Sequence, residues 1–168
     1  VLVPFLHSRG IRHLDAVVGT HPHSDHIGGL PAVLGAVDVG WYFDNGRESQ
    51  ARPAQQLRQL VTSHGIAYRA LAGGDSLAGL GDGGILVLWP PPAAAGGRMR
   101  APRNLNESSI VLRVTSGRSA LLFAGDIEAD SEQALLAWGD RLRAQVLKVP
   151  HHGAPTSSSP RFVRAVGP

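Results

Sequence analysis

The sequence predicts a layered domain of α/β or α+β type. Two patterns and the overall composition carry that reading. Short apolar runs alternate with segments of helical periodicity along the chain. Glycine, proline and asparagine turn signals separate them. The length of 168 residues, with 43% hydrophobic and 17% charged, fits one globular domain with a core and excludes a disordered chain.

The elements follow in order. Residues 4–9 read as a short helix closed by Gly10, and residues 14–19 as a buried strand. Residues 29–36 read as a helix with Leu30, Val33, Leu34 and Val37 on one face. A strand over 39–43 ends at the turn signal Asp44-Asn45-Gly46. Leu57, Leu60, Val61 and His64 place a longer helix over 53–64, stopped by Gly65. A short strand over 66–71 leads into a glycine-rich turn region. A strand over 85–89 is terminated by Pro90-Pro91-Pro92, and residues 93–104 read as a loop. Residues 110–115 and 119–124 form a hairpin around Ser116-Gly117-Arg118. Residues 130–138 read as a helix and 144–149 as a strand. Ser159 and Pro160 start a last helix, as cap and first position.

Composition excludes several classes of function. Without cysteine there is no disulfide scaffold, no thiolate metal site and no thiol nucleophile. The net charge of +3, with 15 of 16 cations arginine, permits a polyanionic partner without arguing for one. No apolar run approaches the roughly 18 residues of a membrane helix. The chain opens Val1-Leu2-Val3-Pro4 with no signal peptide and stops just after a helix, which is expected of an internal fragment of a longer protein.

Five of the eight histidines fall in two short clusters. The first is Thr20-His21-Pro22-His23-Ser24-Asp25-His26, and the second is Pro150-His151-His152-Gly153. Between them lies Gly125-Asp126, and all three stretches follow a strand-like run whose end can hold side chains on one rim. Three imidazoles and a carboxylate offer nitrogen and oxygen ligands, which suit zinc, manganese or iron better than copper(I). His21 and His23 can point to one side of an extended segment while Asp25 and His26 turn to a second position. That suits two adjacent metals, or one metal beside a catalytic carboxylate. His7, His13 and His64 stand apart and read as ordinary surface or core-edge residues.

The pattern H-x-H-x-D-H after a strand, a later strand ending in Gly-Asp and another ending in histidine resemble the metallo-β-lactamase superfamily. The stretches 106–113, 121–128 and 147–153, with Trp89-Pro90-Pro91 before them and Thr156-Ser157-Ser158-Ser159 after, resemble the C-terminal domain of ComEC-type DNA internalisation proteins of natural competence. The resemblance implies an α+β fold, the αββα four-layer sandwich, spanning residues 1–168 as the core of one hydrolase domain with both ends removed. It implies that His21, His23, Asp25 and His26 form the first metal motif, that Asp126 bridges two metals, and that His151, His152 or both ligate. Two divalent ions, Mn2+ or Zn2+, are the implied cofactors. Asn106 falls where many members place another ligand histidine, which shifts the site toward manganese. Ala154 replaces a family serine, and the hydroxyls of residues 156–159 can compensate.

The resulting expectation is a metal-dependent phosphodiesterase, a DNase of a competence DNA-uptake protein. Asp25 ligates the second metal or orients the nucleophilic water. Asn106, Thr156, Ser157 and Ser158 contact substrate, with phosphate at a helix N-terminus. Arg98, Arg100 and Arg103 offer contacts to a nucleic-acid backbone, although a solvated loop is their more ordinary role. DNA, single-stranded or the strand not taken up, is the expected partner. The resemblance places the domain at the extracytoplasmic face of the bacterial cell membrane, within a polytopic channel protein. Two other readings remain: a hydrolase of a small-molecule ester, phosphoester or lactam on the same scaffold, and a non-catalytic structural module.

Overall fold

The computed structural model describes residues 1–47, 49–80, 83–92 and 104–168. Arg98, Arg100 and Arg103, and the loop expected over 93–104 up to residue 103, lie outside these residues. The chain has the mixed sheet-and-helix architecture expected of it, in two compact units, Val1–Ala70 and Leu71–Pro168.

The first unit is built on strand–helix–strand repeats. Helix α1 (Leu2–Ser8) precedes β1 (His13–Val18), and short helices α2 (Ser24–Ile27) and α3 (Leu30–Leu34) lead to β2 (Asp38–Asp44). Helix α4 (Arg52–Ser63) then leads to β3 (Ala67–Ala70). The three strands pair in parallel in the order β1-β2-β3, which is why each connection carries helix. Helix α4 buries Ala54, Leu57 and Val61, spaced for one face, in a core with Val17, Ile27, Leu34 and Tyr42.

The second unit is a five-stranded sheet in the order β4-β5-β6-β7-β8. Its strands are β4 (Ser76–Leu80), β5 (Gly83–Trp89), β6 (Val111–Ser116), β7 (Ser119–Phe123) and β8 (Val146–Lys148). All pairs are antiparallel except β7 with β8, which run parallel around helix α5 (Ala129–Leu135). Helix α6 (Pro160–Val166) closes the unit, with the Ser159 hydroxyl accepting from the Phe162 amide as its cap. Val111, Leu122, Ile127, Leu135, Leu142 and Phe162 are its fully buried core.

Several expected elements change. The helix expected over 29–36 is confined to α3, with Gly29 and Gly35 as its caps, and a separate turn of helix, α2, precedes it. Strand β4 lies in what reads as a glycine-rich turn region; its pairing with β5 supplies what its composition does not. The helix expected over 130–138 ends at Leu135, and a tighter 3-10 stretch continues through Leu142 across Gly139, whose φ of 54° is left-handed. The strand expected over 144–149 shortens to Val146–Lys148, the part that finds partners on β7.

Candidate functional site

Each unit carries its own group of chemically capable side chains at the ends of its strands. In the first unit, the chain leaves β1 through Gly19, where a Cβ would meet the Tyr42 hydroxyl at 2.5 Å. It then presents the histidine cluster. His21 is buried, and its Nε2 lies 3.0 Å from His23 Nδ1. The His21 ring is 4.2 Å from the His26 ring, centroid to centroid. Thr20 Oγ1 sits 3.3 Å from His21 Nδ1 and 3.2 Å from His26 Nδ1, fixing both rings from behind.

Asp25 stands in the first turn of α2, with Oδ2 3.6 Å from His26 Nε2. Burial opposes its charge. Its own backbone N–H and the imidazoles of His26, His21 and His23 outweigh that and hold the carboxyl below its ordinary range. The structure thus brings His21, His23, Asp25 and His26 together, as their spacing predicts.

In the second unit, Asp126 follows β7 and is buried. Gly125 makes the turn with φ of 55°, and a Cβ there would sit 2.7 Å from Ser109 Cβ. The missing Cβ lets the Ser109 hydroxyl accept from the Asp126 amide at 3.0 Å. The Gly125 carbonyl in turn accepts from the His151 amide at 3.1 Å. One glycine therefore ties the loop of Asp126 to the loop of the paired histidines.

His151 and His152 both adopt left-handed backbone, with φ of 46° and 53°. Two successive non-glycine residues there store strain that the surroundings must hold, and such strain collects at functional sites. The two rings diverge. His152 Nε2 lies 3.4 Å from Asp126 Oδ2. His151 Nδ1 lies 3.0 Å from Glu128 Oε1, and its Nε2 is 3.4 Å from Asn106 Nδ2.

Glu128 is the hub of this corner. Its Oε1 accepts from Asn106 Nδ2 and its Oε2 from Asn104 Nδ2, both at 3.0 Å. Burial raises the Glu128 pKa, but Asn106, Asn104, His151 and Thr156 together bring it below the usual range. No role is read from the sequence for Glu128, Asn104, Ser109 or Thr20. The available signals were a second carboxylate two residues beyond Asp126 and a hydroxyl directly before the first histidine.

The serine-rich loop is placed differently from its expected use. The Ser158 and Ser159 amides donate to the buried Glu132 carboxylate, and Ser157 Oγ donates to the Pro150 and Ala154 carbonyls. Those groups are committed to holding the loop. Thr156, 3.5 Å from His151 Nδ1, is the member that faces the cluster. His7, His13 and His64 are exposed and outside either group.

The donors fit a divalent metal. Asp25 and His26 in the first unit, and Asp126 and His152 in the second, are nitrogen and oxygen donors of the kind that suits a divalent ion. His21 and His23 add two closely packed imidazoles that cannot both be charged without repulsion.

Comparison with known proteins agrees with this chemistry. The Metallo-beta-lactamase superfamily model matches residues 2–168. The chain is 32% identical over 169 residues to the "ComE operon protein 3" of Bacillus subtilis (strain 168), covering 100% of this chain and 21% of that protein. It is 32% identical over 170 residues to the "Competence protein ComA" of Neisseria gonorrhoeae, covering 99% and 21%. The chain therefore spans about a fifth of the length of the curated relatives it matches. Among solved structures, the metallo-beta-lactamase fold protein YhfI from Bacillus subtilis aligns with a TM-score of 0.55 at 17% identity, over 92% of this chain and 61% of that one. An isothiocyanate hydrolase from Delia radicum gut bacteria aligns with a TM-score of 0.52 at 17% identity, over 95% and 61%. At these identities the two structures speak to fold alone.

Proposed function

Since the chain belongs to the metallo-β-lactamase superfamily and is a metal-dependent hydrolase, we propose that it breaks an ester or phosphoester bond with water, and that the phosphodiester of DNA is the specific form. The observation that carries the hydrolytic reading is the donor set itself. Aspartate and histidine, without any thiolate, suit a metal that activates water.

When bound, one or two divalent ions, Mn2+ or Zn2+, supply a nucleophilic water at neutral pH and neutralise charge developing in the transition state. The chain's residues do the rest. His21, His23 and His26 in the first unit, and Asp126 and His152 in the second, would supply the donors that hold such an ion. Asp25, kept ionised by the imidazoles around it, accepts a hydrogen bond from the attacking water or ligates. Glu128, 3.0 Å from His151 Nδ1, orients that ring, whose Nε2 lies 3.4 Å from Asn106 Nδ2. Thr156, beside that ring, is the remaining polar contact of the loop.

The DNA reading is supported by the similarity to two relatives, a competence protein and a ComE operon protein. In that setting the substrate is the strand not taken up, and the domain acts at the extracytoplasmic face of a bacterial membrane as part of a polytopic protein. Among the described residues no helix is long and apolar enough to cross a membrane. The reading as a small-molecule ester, phosphoester or lactam hydrolase has its own support. The Ser158 and Ser159 amides, expected to cradle a phosphate, are already taken by Glu132.

The test is elemental analysis of chelator-free protein, with cleavage of DNA, bis-p-nitrophenyl phosphate and a β-lactam under added Mn2+ or Zn2+. Bound metal with Mn2+-stimulated DNA cleavage, lost in His23→Ala, is the expected result. Metal with turnover of small esters alone moves the assignment to the second reading. A chain that takes up no metal and turns over nothing refutes both and leaves a structural module.

A further inference from the structure

The strand ends of the first unit also frame a small cavity. Strands β1 and β2 run parallel, and the Gly19 amide donates to the Phe43 carbonyl at 2.9 Å. The loop of the histidine cluster and the loop Asp44-Asn45-Gly46-Arg47 therefore leave the sheet side by side. In open α/β sheets, ligands bind outside the carboxyl ends of the strands. A partly enclosed cavity of about 20 Å³ lies there, and its walls include His21, Pro22, Tyr42, Asp44, Arg47 and Arg58. An occupant would sit directly beside the histidine cluster.

Size and chemistry narrow what that occupant is. A space of this volume takes one oxygen-sized group and no sugar or base. Among the described residues that line it, two guanidiniums face a single carboxylate, so the walls are net positive. That carboxylate, Asp44, is engaged elsewhere: its Oδ1 accepts from the Gly46 amide at 2.8 Å and the Tyr68 hydroxyl at 2.9 Å. Arg58 donates to the Ser49 carbonyl at 2.8 Å. Arg47 stands on a fixed turn, because its amide donates at 3.1 Å to Oδ1 of the buried Asn45. Burial pulls the Arg47 pKa down, so an anion arriving there meets a guanidinium already stripped of part of its water. Tyr42 is buried and brings a phenol, which is a hydrogen-bond donor at neutral pH. Gly19 admits that hydroxyl at the base of the histidine loop, where any Cβ would collide with it.

We infer that this cavity is a substrate subsite, in which Arg47 and the Tyr42 hydroxyl take one anionic oxygen of a phosphodiester beside the histidine cluster. The inference rests on the phosphodiester reading above and names a residue that enforces it. A neutral ester has no charged oxygen to place there, so Arg47 selects for the phosphodiester.

The test reads binding as well as selectivity. Chelator-stripped protein is titrated calorimetrically with inorganic phosphate and, separately, with MnCl2, and circular dichroism checks the fold of each variant. Arg47→Met keeps an unbranched side chain and removes the charge. It should weaken phosphate by about 10–100-fold while retaining Mn2+ affinity. With Mn2+ added, it should lower kcat/KM for bis-p-nitrophenyl phosphate by about 10–100-fold relative to that for p-nitrophenyl acetate. Arg47→Lys keeps the charge without the planar fork and should fall between wild type and the methionine variant; it carries the test should the methionine variant not fold. Tyr42→Phe removes the hydroxyl alone and should lower the same ratio by a smaller factor. A folded Arg47 variant with wild-type phosphate affinity, or with an unchanged ratio of the two esters, overturns the inference and leaves the phosphodiester reading intact. A loss of Mn2+ affinity as large as the loss of phosphate also overturns it, since Arg47 would then act on the histidine cluster. A wild-type chain that cleaves p-nitrophenyl acetate but neither phosphodiester nor DNA refutes the phosphodiester reading itself, and the inference with it.

Discussion

Replacing Glu132 by glutamine should destabilise the protein by about 2–4 kcal/mol, although the change removes a charge from the interior. Glu132 is 1% exposed, and its two oxygens accept from the Ser158 and Ser159 amides at 2.5 and 2.9 Å. Two effects oppose each other. Burying a carboxylate is unfavourable, so neutralising it brings relief. Glutamine, however, offers one acceptor and one NH2 donor to two N–H donors. One amide therefore loses its partner and faces another donor. A hydrogen bond to a charged group contributes about 1.5–3 kcal/mol, and an unsatisfied buried donor costs about 1–3 kcal/mol more. The orphaned amide outweighs the relief because the backbone of this loop, with Ser158 at φ of 62°, cannot turn away without breaking the Ser159 cap of α6. Glu132→Ala orphans both amides and leaves a void, for about 3–5 kcal/mol. Urea unfolding followed by tryptophan fluorescence and circular dichroism reads the difference. With a slope of about 2 kcal/mol per molar, the glutamine variant shifts the midpoint down by about 1–2 M. A midpoint equal to or above the wild type would show that charge burial dominates, and the reasoning fails.

Two further outcomes follow from the geometry. Gly125→Ala forces an L-residue into left-handed backbone and drives a Cβ to within 2.7 Å of Ser109. Thermal unfolding should show a loss of about 1–3 kcal/mol. Calorimetry should show weaker metal uptake as Ser109 leaves the Asp126 amide, and undiminished binding would count against that route. Asp44 carries a pH prediction. Burial raises its pKa more than the Gly46 amide, the Tyr68 hydroxyl and Arg58 lower it. The folded state then holds the proton more tightly than the unfolded state. Stability is greatest below the unfolded value of about 3.9 and falls as pH rises through the folded one. Asp44→Asn keeps the Oδ1 that accepts from Gly46 and Tyr68. It should melt higher than wild type at pH 7, with the gain vanishing toward pH 3; a lower melting temperature at pH 7 contradicts the assignment.

Much of this molecule was legible from local pattern. His21, His23, Asp25 and His26 lie within six residues, so the backbone of one strand end and one turn of helix suffices to gather them. The serine cap and proline of α6 act within a single turn. The β6–β7 hairpin closes over Gly117 and Arg118, and its register follows from a short connection. In each case the interacting groups are neighbours in the chain, and propensity and spacing are enough.

The tertiary structure decided what depends on distant partners. Pro-His-His-Gly does not say which ring turns where. The Gly125 carbonyl and Glu128 settle it, sending His151 to Glu128 and His152 to Asp126. Ser157 and Ser158 read as substrate contacts, and folding brings a buried glutamate 26 and 27 residues away to the Ser158 and Ser159 amides. The Asn106 amide is oriented by Glu128, 22 residues on, which accepts from its Nδ2. Strand β4 exists because β5 pairs with it. A sequence specifies local backbone preference directly, but the orientation of a ring or an amide is set by whichever hydrogen-bond partner folding brings within 3 Å or so, and those partners come from other elements.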